Sequence, residues 1–234
     1  MSERYAIYFT PDRRHPLCSK AAEWLGRDPT GEPVAPTAIA GIGRAELDAN
    51  SISARRYGFH ATIKAPMRLR SDCPPGELAR ELARFAEAET PVSVGPMKLE
   101  LIDGFLALVP AIQSSALTAL AARVVETFDR FRAPIGLEER NRRTAGGRLT
   151  PRQIELVERY GYPYVLEEFQ FHMTLTDRLP PGEQERYRAA AAGHFGVLAE
   201  AELSLDRLVL FEEPQPGAPF ARGSDFVLAG KVAQ

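Results

Sequence analysis

Two segments of the sequence place a histidine and a threonine at the same spacing. The segments FHATI (59–63) and FHMTL (171–175) share the order Phe, His, any residue, Thr and an aliphatic residue. His60 and His172 are 112 residues apart, close to half of the 234-residue chain. We interpret this matched spacing as a duplicated functional element rather than as two unrelated histidines.

The residue types in these segments suit acid–base chemistry on a phosphate ester. Imidazole has an ordinary pKa of about 6.5, so near neutral pH it can act as a base or as an acid. One histidine could activate a water or hydroxyl on one side of phosphorus while the other protonates the leaving oxygen. We predict that His60 and His172 are catalytic and that the hydroxyls of Thr62 and Thr174 bind the phosphate oxygens. This scheme requires no metal and no other cofactor.

Strand alternation extends the two candidate sets by one residue each. Alternate side chains of a strand point to opposite faces, so the polar faces are predicted to be His60, Thr62 and Lys64 in one strand and His172, Thr174 and Thr176 in the other. Lys64 and Thr176 are therefore predicted to lie on the substrate side. Tyr57 and Tyr8 are further candidates for the cleft wall, with packing as the alternative for both, and we retain Tyr57 as a substrate-binding residue.

Arginines are concentrated in the irregular stretch 132–149, just ahead of the second histidine segment. Arg142, Arg143 and Arg148 could form a solvated loop, or a mobile flap that brings guanidinium groups to an anionic substrate. We select Arg143 as a substrate-binding residue. Arg55 and Arg56, ahead of the first segment, are a weaker case of the same kind.

Periodicity and turn signals predict the helices and strands that position the candidate site residues. Helices are predicted at about 18–25, 76–89, 115–131, 151–161 and 183–195. Strands are predicted at about 6–9, 57–64, 92–102, 105–109, 169–176, 203–211 and 225–229, with 27–50 and 132–149 as loops. The second half of the chain (114–234) loosely repeats the first (1–113). The pattern favours an α+β fold in which two antiparallel sheets face each other.

Composition limits the classes of function. A formal net charge of −2 argues against a broad grip on long nucleic acid. No run of residues approaches the roughly 20 apolar residues that span a bilayer, and the N-terminus lacks signal-peptide character. Cys18 and Cys73 are far apart, which predicts reduced thiols and a cytoplasmic location. Gly146-Gly147 does not have the spacing of a P-loop or a dinucleotide fingerprint.

The paired segments also resemble a known superfamily. His-Ala-Thr-Ile and His-Met-Thr-Leu resemble the His-x-Thr-x repeats of the 2H phosphoesterases. RRYGFHATIK (55–64), GFLALVP (104–110), GYPYV (161–165) and FQFHMTLT (169–176) resemble an uncharacterised branch associated with phosphonate-utilisation operons. The resemblance implies two pseudo-symmetric lobes, each an antiparallel sheet with helices packed outside, and a central cleft between the two histidine segments. It also implies metal-free chemistry, with His60 and His172 as acid and base.

We therefore predict a metal-independent phosphodiesterase that acts on a cyclic phosphodiester. The substrate would be a small phosphate ester: a 2′,3′-cyclic nucleotide, an RNA end or a ribosyl cyclic phosphate. One alternative is a metal-dependent hydrolase that uses the histidines as ligands, although the sequence has no H-E-x-x-H motif. Another is a protein that binds a nucleotide or a phosphonate metabolite without turnover. The sequence leaves open which histidine is the acid, whether the reaction is hydrolysis or ligation, and the oligomeric state.

Overall fold

Eight antiparallel strands form one sheet in the computed structural model, which describes residues 4–145 and 149–230. The strands are β1 (Arg4–Phe9), β2 (Ala61–Met67), β3 (Val92–Ile102), β4 (Phe105–Pro110), β5 (Met173–Thr174), β6 (Glu202–Leu205), β7 (Arg207–Glu213) and β8 (Ala221–Val227). Their order across the sheet is β6-β3-β4-β5-β2-β1-β7-β8. The predicted α+β class with antiparallel sheet structure is confirmed.

The two histidine strands are neighbours at the centre of this sheet. β2 pairs with β5 through Ala61 and Met173, and this pairing joins one half-sheet, β2-β1-β7-β8, to the other, β5-β4-β3-β6. Each half-sheet takes two strands from residues 1–113 and two from residues 114–234. The predicted halves of the chain therefore do not coincide with the two halves of the sheet.

Eight helices pack around the sheet in the described part of the chain. They are α1 (Pro16–Leu25), α2 (Arg44–Ala49), α3 (Ile52–Tyr57), α4 (Pro75–Ala88), α5 (Ser115–Phe128), α6 (Leu137–Thr144), α7 (Pro151–Tyr160) and α8 (Gln184–Phe195). The start of α7 is as predicted: the Thr150 hydroxyl accepts from the Gln153 N–H, and the Gln153 side chain accepts from the Thr150 N–H. No helix in these ranges is long and apolar enough to cross a bilayer.

Three short helices lie in stretches for which the sequence predicts no helix. α2 and α3 run through the stretch that precedes the first histidine, and α6 lies within 132–149. These helices carry no repeated apolar stripe, and α6 buries no side chain at all. Salt bridges within α6 and between α6 and α7 hold it instead, including Arg143–Glu139 and Arg140–Glu158. Gly146, Gly147 and Arg148 lie outside the described residues.

Side chains alternate along β1 between the two faces of the sheet. Tyr5, Ile7 and Phe9 belong to the main hydrophobic core beneath the helices. Ala6 and Tyr8 point to the other face, where they pack with aromatic residues of the C-terminal part of the chain. That second face carries the candidate site.

Candidate active site

Both histidine segments line one cavity of about 880 Å³ on this second face. Ala61 follows His60, Met173 follows His172, and these two residues pair with each other across β2 and β5. His60, Thr62, His172 and Thr174 all line the cavity. The structure thus brings together the four residues predicted from the repeated segments.

The two imidazoles are held in the same way. Nδ1 of His60 lies 2.8 Å from the carbonyl oxygen of Gly58, and Nδ1 of His172 lies 2.8 Å from that of Gln170. A carbonyl can only accept, so each Nδ1 carries the proton and donates it, which leaves Nε2 as the unprotonated nitrogen of the neutral ring. The Thr62 hydroxyl donates to Nε2 of His60 at 3.1 Å.

The backbone conformation at Gly58 supplies the first of these carbonyls. Gly58 ends α3 with a φ of +77°, a value that residues with a side chain rarely adopt. A Cβ atom there would also lie 3.0 Å from the Pro29 side chain. Glycine therefore permits the sharp turn from α3 into β2, and this turn aims the carbonyl at His60.

Gln113 holds the second histidine segment. β5 is only two residues long, so the backbone just before His172 has few ladder partners. The Gln113 side chain fills that role: its amide nitrogen donates to the Phe169 carbonyl and its amide oxygen accepts from the Phe171 N–H, both at 2.7 Å. No local motif marks Gln113, which is separated from this segment by more than 50 residues.

Tyr8 stacks on His60 and covers one face of its imidazole ring. The two ring centroids are 3.7 Å apart, with 21° between the ring planes. Burial lowers the pKa of His60 to about 4; the bond to the Gly58 carbonyl partly opposes this, and the nearby His172 adds to it. Tyr8 itself is buried and lines the cavity.

Burial also lowers the pKa of His172, with the Gln170 carbonyl opposing the shift. Both rings are therefore neutral at pH 7 in the free protein. A bound phosphate would act in the opposite direction, because a nearby negative charge favours the imidazolium form. The site is arranged to take up a proton when an anion enters.

Tyr57 and Arg143, two of the predicted substrate-binding residues, also line the cavity. The Tyr57 ring lies 6.2 Å from that of His60. The Arg143 guanidinium lies 5.6 Å from the centre of the Tyr162 ring, and it also donates to Glu139 at 2.6 Å. The cavity wall thus joins aromatic rings to guanidinium groups.

Lys64 does not line this cavity, contrary to the prediction from strand alternation, and lines only a smaller cavity that adjoins it. Ile7 pairs with Lys64 and Tyr8 pairs with Thr62, so Ile63 is an extra residue in β2. Such a bulge reverses the alternation beyond it. Lys64 therefore points towards α5, where its ammonium donates to Asp129 at 2.9 Å and to the Val125 carbonyl at 3.3 Å.

Thr176 also lies outside the cavity lining. Its hydroxyl accepts from the Leu106 N–H at 2.9 Å, and its side chain is buried. β5 ends at Thr174, so the alternation used for the prediction does not continue to Thr176. Its role in this structure is to satisfy a backbone donor of β4.

Four further arginines of the described residues line the cavity besides Arg143. Arg56 and Arg142 join Arg143 there, as do Arg4 and Arg68, whereas Arg55 is not part of the lining. Arg4 and Arg68 are distant in sequence, and only the pairing of β1 with β2 brings them to one end of the sheet. No local motif marks them.

Metal ligation was one alternative for the histidines. Within residues 4–145 and 149–230, no group of three or more His, Cys, Asp or Glu side chains is arranged to hold a metal ion.

A family profile described as "Protein of unknown function (DUF1045)" matches residues 62–221, which is more than half of the chain. The chain belongs to the DUF1045 family. The predicted resemblance to an uncharacterised branch is confirmed at the level of this family.

Two curated relatives carry the name ribose 1,5-bisphosphate phosphokinase PhnN. The protein of Janthinobacterium sp. (strain Marseille) is 38% identical over 233 residues, covering 97% of this chain and 51% of its own length. That of Laribacter hongkongensis (strain HLHK9) is 34% identical over 227 residues, covering 93% and 50%. The chain thus spans about half the length of these relatives.

Among solved structures, the chain is similar to E. coli LigT, in a structure described as complexed with NADP+. The identity is 12% and the TM-score is 0.42, with 98% of this chain and 99% of that chain covered.

Proposed function

We propose that this chain is a metal-independent phosphodiesterase that opens a cyclic phosphodiester between His60 and His172. The observation that carries the proposal is that each imidazole binds a backbone carbonyl through Nδ1, which leaves both Nε2 atoms unprotonated in one cavity. One imidazole takes a proton from water as its oxygen bonds to phosphorus. The other, as imidazolium, gives a proton to the ester oxygen as its bond to phosphorus breaks. The products are a phosphate monoester and a free hydroxyl.

The surroundings of the two histidines favour different roles. His60 is stacked under Tyr8, and its pKa of about 4 keeps it neutral, as a general base must be before the reaction. We assign it as the base. His172 is less strongly affected, so a bound phosphate converts it more easily to the imidazolium form required of the general acid. On substrate binding the Thr62 hydroxyl is assigned to turn from Nε2 of His60 to a non-bridging phosphate oxygen, and the Thr174 hydroxyl to donate to another.

A ribosyl cyclic phosphate is the substrate that we favour, over a 2′,3′-cyclic nucleotide or an RNA end. The curated relatives are named for a phosphokinase of ribose 1,5-bisphosphate. Cleavage of the bond between phosphorus and O2 of a ribose 1,2-cyclic phosphate leaves a phosphate on C1. Ribose 1,5-bisphosphate, the compound in the name of those relatives, also carries a phosphate on C1. Such a role fits the phosphonate association implied by the sequence resemblance, and the two free thiols fit a cytoplasmic location.

The proposal is tested with the purified chain and a panel of cyclic phosphates, followed by ³¹P NMR in the presence of a chelator. We expect turnover that falls about 10²–10⁴-fold in His60→Ala and in His172→Ala. His15→Asn serves as the matched control, because His15 caps α1 away from the cavity and asparagine preserves the cap. Turnover that depends on added metal, or that is unchanged in both alanine variants, would overturn the proposal.

A further inference from the structure

The arginines of the cavity carry more positive charge than one phosphodiester needs. Five arginines line the cavity: Arg4, Arg56, Arg68, Arg142 and Arg143. Two carboxylates contact four of them, so the arginines outnumber their carboxylate partners by three. This local excess occurs in a protein whose formal net charge is −2, so the cleft concentrates positive charge that the rest of the chain does not have.

The ion pairs show how these charges are distributed. Glu213, whose side chain is 1% exposed, binds both Arg4 and Arg56. Glu139 lies 2.6 Å from Arg143 and 4.0 Å from Arg142. Each carboxylate is thus shared by two arginines and leaves one positive charge uncompensated.

Arg68 is the third uncompensated charge. Within the described residues, its side chain makes no hydrogen bond or ion pair. It is exposed to the cavity at the end of β2, one residue beyond the pairing of Tyr5 with Met67. The continued register places Arg68 opposite Arg4, so two cations meet at this end of the sheet.

Position separates this arginine group from the histidines. Arg4, Arg68 and Arg143 line both the main cavity and a smaller one that adjoins it, whereas the histidines line only the main one. Arg4 lies on the same face of β1 as Tyr8 and four residues away, about 13 Å along the strand. A sugar phosphate and an arginine side chain can together span such a separation.

From these observations we propose that Arg68, Arg4 and Arg143 form a second anion subsite, which binds a terminal phosphate monoester of the same substrate molecule. The substrate class is therefore a cyclic phosphodiester that carries another phosphate about one sugar ring away. A cyclic diester and a monoester together carry about three negative charges near pH 7, which matches the excess of three arginines. This inference rests on the proposed function for the reacting group, but the subsite itself can be tested by binding alone.

The test compares ribose 1,2-cyclic phosphate with and without a 5-phosphate as substrates of the full chain. A charge-assisted bond to phosphate corresponds to about 10–100-fold in affinity, so we expect a kcat/KM ratio of at least about 100 in favour of the 5-phosphorylated compound. Arg68→Gln should lower that ratio about tenfold or more. The control Arg14→Gln, at an exposed arginine outside the cavity lining, should leave the ratio unchanged.

A binding measurement separates the two proposals. Calorimetry compares ribose 1,5-bisphosphate with ribose 1-phosphate, whether or not any compound is turned over. Cleavage of both cyclic compounds with equal kcat/KM would overturn the second subsite and leave the phosphodiesterase intact. If neither is cleaved but the bisphosphate binds at least tenfold more tightly, and Arg68→Gln abolishes that preference, the subsite stands and the proposed reaction fails. Equal binding of the two sugar phosphates would overturn the subsite.

Discussion

The ring of Tyr8 lies flat against the imidazole of His60, with 3.7 Å between the two centroids. Tyr8 stands in β1 and pairs with Thr62 of β2, so the contact joins neighbouring strands across the floor of the cavity. One face of the imidazole is thereby shielded from water, while Nδ1 remains bound to the Gly58 carbonyl. The stacking is therefore part of what keeps this histidine neutral.

Opening this contact should raise the pKa of His60. In Tyr8→Leu the smaller side chain admits water to the imidazole, so we expect its pKa to rise from about 4 towards the ordinary value of about 6.5. Tyr8→Phe keeps the ring and should keep the low pKa. NMR titration of the histidine Cε1–H signals measures both. An unchanged pKa in Tyr8→Leu would show that the stacking does not control the titration.

Loss of the Gln113 side chain should disturb His172 without disturbing His60. Gln113→Ala removes the two bonds to the Phe169 carbonyl and the Phe171 N–H, so the second histidine loses its fixed position. We expect kcat to fall about 10–100-fold with a smaller change in KM, and the NMR signal of His172 to shift. Gln170→Ala is the matched control, since its exposed side chain is removed while its carbonyl stays. Equal kcat in the two variants would contradict this positioning role.

Replacing Lys64 should affect stability rather than substrate binding. Its side chain is 4% exposed, and its ammonium binds Asp129, which also binds Arg132. Since Arg132 remains as a partner, we expect Lys64→Met to lower the free energy of unfolding by about 1–3 kcal/mol. KM for a cyclic phosphate should stay within about twofold. A tenfold rise in KM at unchanged stability would instead support the strand-alternation prediction that Lys64 faces the substrate.

The histidines should make the fold less stable in acid. Burial lowers the pKa values of His60, His172 and His194, so between about pH 6.5 and 4 the unfolded chain binds more protons than the folded one. The free energy of unfolding should therefore fall as the pH falls through this window. Urea denaturation at pH 7 and pH 5 measures the loss, which should be smaller in His60→Gln. An equal loss in both proteins would show that His60 does not contribute.

Anion binding should be coupled to proton uptake. Both catalytic candidates are neutral at pH 7, and a bound dianion favours the imidazolium form. Sulfate is a suitable probe because it does not titrate in this range. Calorimetry at pH 6.5 in buffers with different ionisation enthalpies should show net proton uptake, reduced in His172→Ala. Binding enthalpies that do not vary with the buffer would contradict the coupling.

The sequence predicts the four central residues because they belong to a repeated local pattern. Alternation and the shared Phe, His, Thr spacing are enough to place His60 with Thr62 and His172 with Thr174. The same rule is wrong for Lys64, since one extra residue at Ile63 changes the face of the strand. No sequence signal marks that bulge.

Long-range pairing determines the remainder of the site. Arg4 reaches the cavity because β1 pairs with β2, and Gln113 reaches the second histidine segment through two side-chain bonds. α6 also escapes periodicity analysis, because ion pairs hold it rather than an apolar face. Regular helices such as α7 are predicted well, since their caps and apolar stripes are local.

The strand order has a consequence for how such a protein can arise and be divided. Each half-sheet combines strands from both halves of the chain. A cut near residue 113 therefore gives two fragments, each of which holds two strands of one half-sheet and two of the other. Neither fragment could present a finished cleft on its own. If the gene were split at that point, the two fragments would have to associate to form the site. The Ala61–Met173 pairing between β2 and β5 would then bring the two histidines together.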